Sequence, residues 1–119
     1  MTRKRILVVD DEKDIVEFLS DLLEDNGYDV TAAYDGAEAM ELISKESPDL
    51  ILLDLQMPRE TGTDLYRKLH NKKEYKDIPV VVISGLAGNY LAVSKSVAVI
   101  DKPPTEQDVL REVGKALGT

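Results

Sequence analysis

Side chains able to do chemistry stand where four apolar runs end. Leu50-Ile-Leu-Leu53 is closed by Asp54, and Arg5-Ile-Leu-Val-Val9 is closed by Asp10, Asp11 and Glu12. Ile78-Pro-Val-Val-Val-Ile83 ends in Ser84 with Gly85 behind it, and Val97-Ala-Val-Ile-Asp101 leads into Lys102-Pro103. Apolar, β-branched runs of this length, punctuated by turn formers such as Pro48 and Pro58, read as strands buried on both faces. In an open parallel sheet, the carboxyl ends of such strands are where ligands bind. Asp54 alone is ambiguous, because an aspartate in that place can simply open a turn. Two acidic strand ends in one small domain say more: they suggest that three carboxylates, Asp10, Asp11 and Asp54, are brought together. Carboxylates that close repel by roughly several kcal/mol at low dielectric unless a cation or protons join them. A hard divalent ion, magnesium foremost, takes carboxylate and carbonyl oxygens and keeps waters that a phosphoryl ligand can displace.

The elements that must hold these residues alternate strand and helix five times, which predicts a parallel sheet with helices on both faces. Ile15, Phe18, Leu19, Leu22 and Leu23 recur at helical spacing, and Gly27 ends that helix as a left-handed cap. Tyr28–Ala33 is a short second strand. Asp35 and Glu38 form a capping box for a helix that turns Ala39, Met40 and Ile43 inward, and Leu65, Tyr66 and Leu69 do the same after the loop from Gln56 to Gly62. Thr105 to Asp108 caps the last helix, whose buried stripe is Val109, Leu110, Val113 and Leu117. His70, the single histidine, falls at the polar end of its helix beside Asn71-Lys72-Lys73 and reads as a solvated surface residue.

Length and composition bound the answer. A chain of 119 residues with 43% hydrophobic content is one domain, residues 1–119, large enough to bury a core without metal or disulfide staples. The net charge of -8 argues against nucleic acid as a direct partner, since phosphates would be repelled. The absence of cysteine excludes a disulfide scaffold and thiol chemistry. No apolar stretch approaches membrane-spanning length and no signal-peptide pattern is present, so the expected location is the cytoplasm, with no membrane partner.

The ordered set Asp10-Asp11, Asp54-Leu-Gln-Met-Pro58, Gly62, Ser84 and Lys102-Pro103 resembles a response-regulator receiver domain, over the whole chain. The resemblance implies a flavodoxin-like (βα)5 doubly wound sheet of five parallel strands in the order 2-1-3-4-5, with strands one and three meeting at the switch point. It implies that Asp54 accepts a phosphoryl group from a histidine kinase or phosphotransfer protein, with Mg2+, and that the result changes binding of a downstream protein. Asp11 and Asp54 would be direct metal ligands with the backbone carbonyl of Gln56, and Asp10 would act through water. Lys102 would pair with Asp54 and then with a phosphoryl oxygen, and Ser84 would donate to another. Such a domain is not an enzyme beyond catalysing its own phosphorylation and dephosphorylation.

The chain departs from the family at one edge. The interval from Ser84 to Lys102 is about one helical turn short, so the fourth helix, around Leu86–Lys95, is expected to be shortened, and Gly88 costs it about 1 kcal/mol relative to alanine. Val99 stands where the family often carries an aromatic switch residue, and Pro104 replaces an aromatic, which leaves the signal output open. Other readings fit less well. A flavodoxin-type cofactor binder needs a glycine- and hydroxyl-rich phosphate loop where this chain has Asp10-Asp-Glu-Lys-Asp14. A haloacid-dehalogenase-type phosphatase needs a second aspartate where this chain has Gln56. A degenerate receiver that binds partners without phosphorylation is the remaining alternative, and the intact acceptor, acidic pair and lysine count against it.

Overall fold

In the computed structural model, which describes residues 3–54, 62–85 and 98–118, five strands form one parallel sheet in the order β2-β1-β3-β4-β5. They are β1 (Arg5–Val9), β2 (Asp29–Ala33), β3 (Leu50–Asp54), β4 (Val80–Ser84) and β5 (Ala98–Asp101). Four helices are described: α1 (Lys13–Asp25), α2 (Gly36–Lys45), α3 (Gly62–His70) and α4 (Glu106–Leu117). The architecture is the doubly wound flavodoxin-like fold. The shortened helix expected near Leu86–Lys95 lies outside the described residues.

The alternation of side chains along each strand divides the core in two. Ile6 and Val8 of β1, Leu50 and Leu52 of β3, Ile83 and Ile100 share one face with Leu19 and Leu23 of α1 and Val109 and Val113 of α4. Leu7, Val9, Ile51, Leu53 and Val82 face the other way, against Ala39 and Ile43 of α2 and Leu65 and Leu69 of α3. Parallel pairing keeps partners on the same side, as in Leu7↔Ile51 and Leu52↔Val81. Each fully buried aliphatic side chain contributes roughly 1.5–3 kcal/mol before chain entropy is subtracted. β3 is buried along its entire length, Asp54 included. The apolar neighbours of β3 thus carry a carboxylate out of water.

The element ends follow local hydrogen bonding. β4 begins at Val80, two residues later than the apolar run suggests, because Pro79 has no N–H for the ladder and only its carbonyl is used, accepting from Ile51 N at 3.0 Å. β2 begins at Asp29 because the Tyr28 amide turns back to Leu23 O at 3.1 Å and closes α1. In α1 the fully buried stripe is Val16, Leu19 and Leu23, with Ile15, Phe18 and Leu22 packed along its flank. Val16 was not among the expected inward residues, and Ile15 and Phe18 are half-buried because a helix lying on a sheet fully covers only a narrow stripe. The Asp35 side chain accepts from Glu38 N at 2.8 Å, whereas the Glu38 carboxylate reaches past the cap to Tyr34 N at 2.6 Å. Thr105 caps α4, its hydroxyl oxygen accepting from Asp108 N at 3.1 Å.

Gly27 sits at φ +92 just past α1, with its amide donated to Glu24 O at 3.1 Å. A side chain there meets no atom within 4 Å, so the penalty of substitution is conformational. Gly27→Ala is expected to lower stability by about 1 kcal/mol, and Gly27→Asn by less. Denaturant midpoints measured at constant slope check both.

Candidate functional site

The reversal of strand order places β1 beside β3, and both end in acid. Asp10 follows Val9 with its amide bonded to Ala33 O at 3.1 Å, and its Oδ1 accepts from Glu12 N at 2.9 Å. Asp54 lies opposite Ile83 and continues the alternation of Leu50 and Leu52. Asp10 and Asp54 are each 1% exposed, whereas Asp11 is exposed at the rim. One carboxylate oxygen from each of the three lies within 4.8 Å of the others.

Lys102 enters from the end of β5. Its amide donates to Ser84 O at 3.1 Å, which ties the residue to the end of β4, and the bond to Pro103 is cis. Its alternation matches Ile100, so the side chain extends on the same face as Asp54. Nζ stands 3.3 Å from Asp54 Oδ2, 3.4 Å from Asp10 Oδ2 and 3.3 Å from Glu12 Oε2. A Cβ built on Gly85 would touch the Lys102 stem at 3.6 Å, an ordinary contact, so crowding alone does not demand glycine there. Ser84 is buried at the end of β4, paired with Asp101. Asp10, Asp11, Asp54 and Lys102 thus converge, and Ser84 lies beside Lys102 at the adjoining strand end. Gln56 lies outside the described residues.

Burial pushes the Asp10 carboxyl above the ordinary aspartate range, against the opposing pull of the Glu12 amide and the Lys102 charge. Burial acts to lower Lys102, but attraction to Asp10, Asp54 and Glu12 outweighs it and holds the ammonium above the usual lysine range. Three carboxylates around one ammonium, with Asp11 a fourth acid at the rim, leave an excess of negative charge at the site. Asp10 Oδ2, buried and without a hydrogen bond of good geometry, has the lysine at 3.4 Å as its compensation. An oxygen-only donor set with excess negative charge suits a hard divalent cation, so the residues present fit magnesium.

Glu12 is the member that sequence reasoning left without a role. Its signal was present, as the third acid of Asp10-Asp11-Glu12, but nothing local announces a partner 90 positions away. His70 is exposed, and its ring lies 4.3 Å from that of the buried Tyr66, apart from the acidic site.

The sequence family described as the response regulator receiver domain matches residues 6–113. The chain belongs to the response regulator receiver family. Protein Rrf1 of Nitratidesulfovibrio vulgaris is 35% identical over 115 residues, covering 97% of this chain and 83% of that protein. Among solved structures, the chemotaxis protein CheY4 of Vibrio cholerae superposes with a TM-score of 0.89 at 27% identity, covering 98% of this chain and all of the other (100%). The receiver domain of a signal transduction histidine kinase from Syntrophus aciditrophicus gives 0.88 at 29% identity, covering 97% and 90%. This is therefore a receiver domain of two-component systems, with an acidic pocket of the kind in which receivers bind Mg2+. No described helix is long and apolar enough to cross a membrane.

The raised Asp10 pKa sets a sign. The folded state holds the Asp10 proton more tightly than the unfolded state, so charged Asp10 costs stability above its folded pKa, and the cost is gone below about pH 4, where the unfolded chain also binds the proton. Asp10→Asn in chelator is therefore expected to raise the melting temperature at neutral pH, with the gain vanishing in acid. Lys102→Met keeps the stem and removes the ammonium. It is expected to destabilise the metal-free protein by about 3 kcal/mol, the low end for a broken buried ion pair, and by less with magnesium present. Thermal and denaturant unfolding with and without magnesium check both.

Proposed function

We propose that Asp54 accepts a phosphoryl group from a histidine kinase or phosphotransfer protein, that residues 1–119 act as one receiver unit in the cytoplasm, and that the phosphorylated form binds a downstream protein differently. The observation that carries this reading is the reach of Lys102 from the end of β5 to within 3.3 Å of a carboxylate that is 1% exposed at the end of β3. A lysine whose purpose was structural could turn to solvent. Here it is held among acids, where it serves an incoming anion.

The step balances simply. An Asp54 oxygen forms a bond to phosphorus as the bond from phosphorus to the donor imidazole nitrogen breaks, and the nitrogen keeps the electron pair. Burial beside Leu52 and Ile83 limits water around the acceptor and strengthens every charge interaction within the site. Lys102 shifts from a carboxylate oxygen to a phosphoryl oxygen, and Ser84 donates its hydroxyl proton to another. Asp11, Asp54 and the Gln56 carbonyl would hold magnesium directly and Asp10 through water; when bound, the ion supplies neutralisation of the transferred group's oxygens. Beyond its own phosphorylation and dephosphorylation, the domain turns over no substrate.

Acetyl phosphate with magnesium should add one phosphoryl mass to the intact protein, and the addition should disappear in Asp54→Asn and in excess chelator. Asp11→Ala should weaken magnesium binding more than Asp10→Ala does, as titration calorimetry measures. A phosphoryl adduct that persists in Asp54→Asn would refute the acceptor assignment.

A further inference from the structure

Glu12 occupies the N-cap of α1 yet makes no side-chain cap. That position favours short acceptors whose oxygen reaches the first-turn amides. Asp35 and Thr105 do this for α2 and α4. The Glu12 side chain instead extends to Lys102, with Oε2 accepting from Nζ at 3.3 Å, while the Glu12 amide serves Asp10. The residue gives up a local cap for a contact with the site.

Of the three carboxylates that touch Lys102, Asp10 and Asp54 are 1% exposed in their side chains and Glu12 is 56% exposed. Asp10 and Asp54 attract the ammonium from inside the site, at 3.4 and 3.3 Å, where burial strengthens the attraction relative to that of the exposed Glu12. Glu12 is therefore not what positions the lysine over Asp54. An ammonium has three N–H groups, and the hydrogen bond to Glu12 Oε2 occupies one of them, while Asp10 and Asp54 hold the charge as ion pairs at 3.4 and 3.3 Å. An N–H turned toward Glu12 is turned away from a phosphoryl oxygen arriving at Asp54, and Glu12, 56% exposed, is the partner that can be released to water. We propose that Glu12 acts through Lys102, competing with the incoming phosphoryl group for its ammonium, so that capture at Asp54 is slower with its carboxylate than without it. The inference rests on Asp54 being the phosphoryl acceptor.

The test is phosphorylation of the full chain by acetyl phosphate at saturating magnesium, followed by intact mass. An Asp54 O–P bond forms, the P–O bond to acetate breaks, and acetate leaves with the electron pair. Glu12→Gln keeps length and removes charge. It is expected to raise the rate at saturating donor about two- to fivefold, the range over which half-exposed ion pairs act, with the donor concentration for half-maximal rate unchanged. Glu12→Asp keeps the charge but is one methylene short of Lys102. It should accelerate the reaction similarly and also raise the melting temperature by capping α1. Without donor or metal, hydrogen exchange of the Lys102 ammonium, read by NMR, should quicken in both variants. An unchanged or slower rate in Glu12→Gln overturns the proposal, as does a Glu12→Asp that behaves like the parent in rate and exchange. A change confined to the half-maximal donor concentration also overturns it, because that is simple repulsion of the anionic donor. A parent protein that takes up no phosphoryl group, by contrast, overturns the acceptor reading itself.

Discussion

The structure depends on keeping two carboxylates out of water side by side. Asp10 and Asp54 end adjacent strands, and each is 1% exposed. Each would be costly to bury alone, and their proximity adds repulsion, which Lys102 only partly offsets. The fold carries this cost because the strands beneath are buried on both faces, so the site stands on closely packed elements. Conversely, the sheet order is what makes the site: the adjacency of β1 and β3 brings the two acids together, and β5, one strand beyond β4, delivers an ammonium on the same face.

Much of this was legible because burial on both faces writes itself into a strand as an uninterrupted apolar run. The ends of such runs are conspicuous, so Asp10, Asp54, Ser84 and Lys102 could be read off as strand-end residues. Helix stops and starts that rest on short-range hydrogen bonds, at Gly27, Asp35 and Thr105, were equally readable. What resisted reading depends on reach or on rotation. Helical spacing alone does not say how a helix is rotated against the sheet, and so Val16 was passed over in favour of Ile15 and Phe18, which lie along the edge of the contact. The β4 boundary moved because a proline inside an apolar run changes the ladder without changing the hydropathy. Glu12 was missed because its significance lies in a residue on the far side of the sheet.

The chemistry of the cation explains why the site uses lysine. An arginine would present a planar fork suited to one carboxylate in a bidentate pair. Lys102 is a compact charge with rotatable donors, and it spreads itself over three acids at 3.3–3.4 Å. By contrast the surface pair of Arg111 and Asp108 closes to 2.8 Å, although both partners are well exposed and such pairs add little to stability. Short contact and burial are thus uncoupled in this molecule.

The looseness of the site is the property that suits it to a switch. A lysine locked to one buried carboxylate at short range would have to break a strong, desolvated pair before it could meet a phosphoryl oxygen, and the transfer would be opposed by the stability of the resting state. Sharing the ammonium among Asp10, Asp54 and Glu12 keeps each contact weak while their sum still holds the charge in place. When the charge on Asp54 changes, the balance among these contacts must change with it, because Asp54 is one of the three acids that share the ammonium. The backbone of Lys102 is bonded to Ser84 O, so redistribution of its side chain bears directly on the strand end that carries the hydroxyl. The physical link from Asp54 to the β4–β5 edge therefore needs no long pathway: it is one side chain whose head is among the acids and whose amide is bonded to the neighbouring strand.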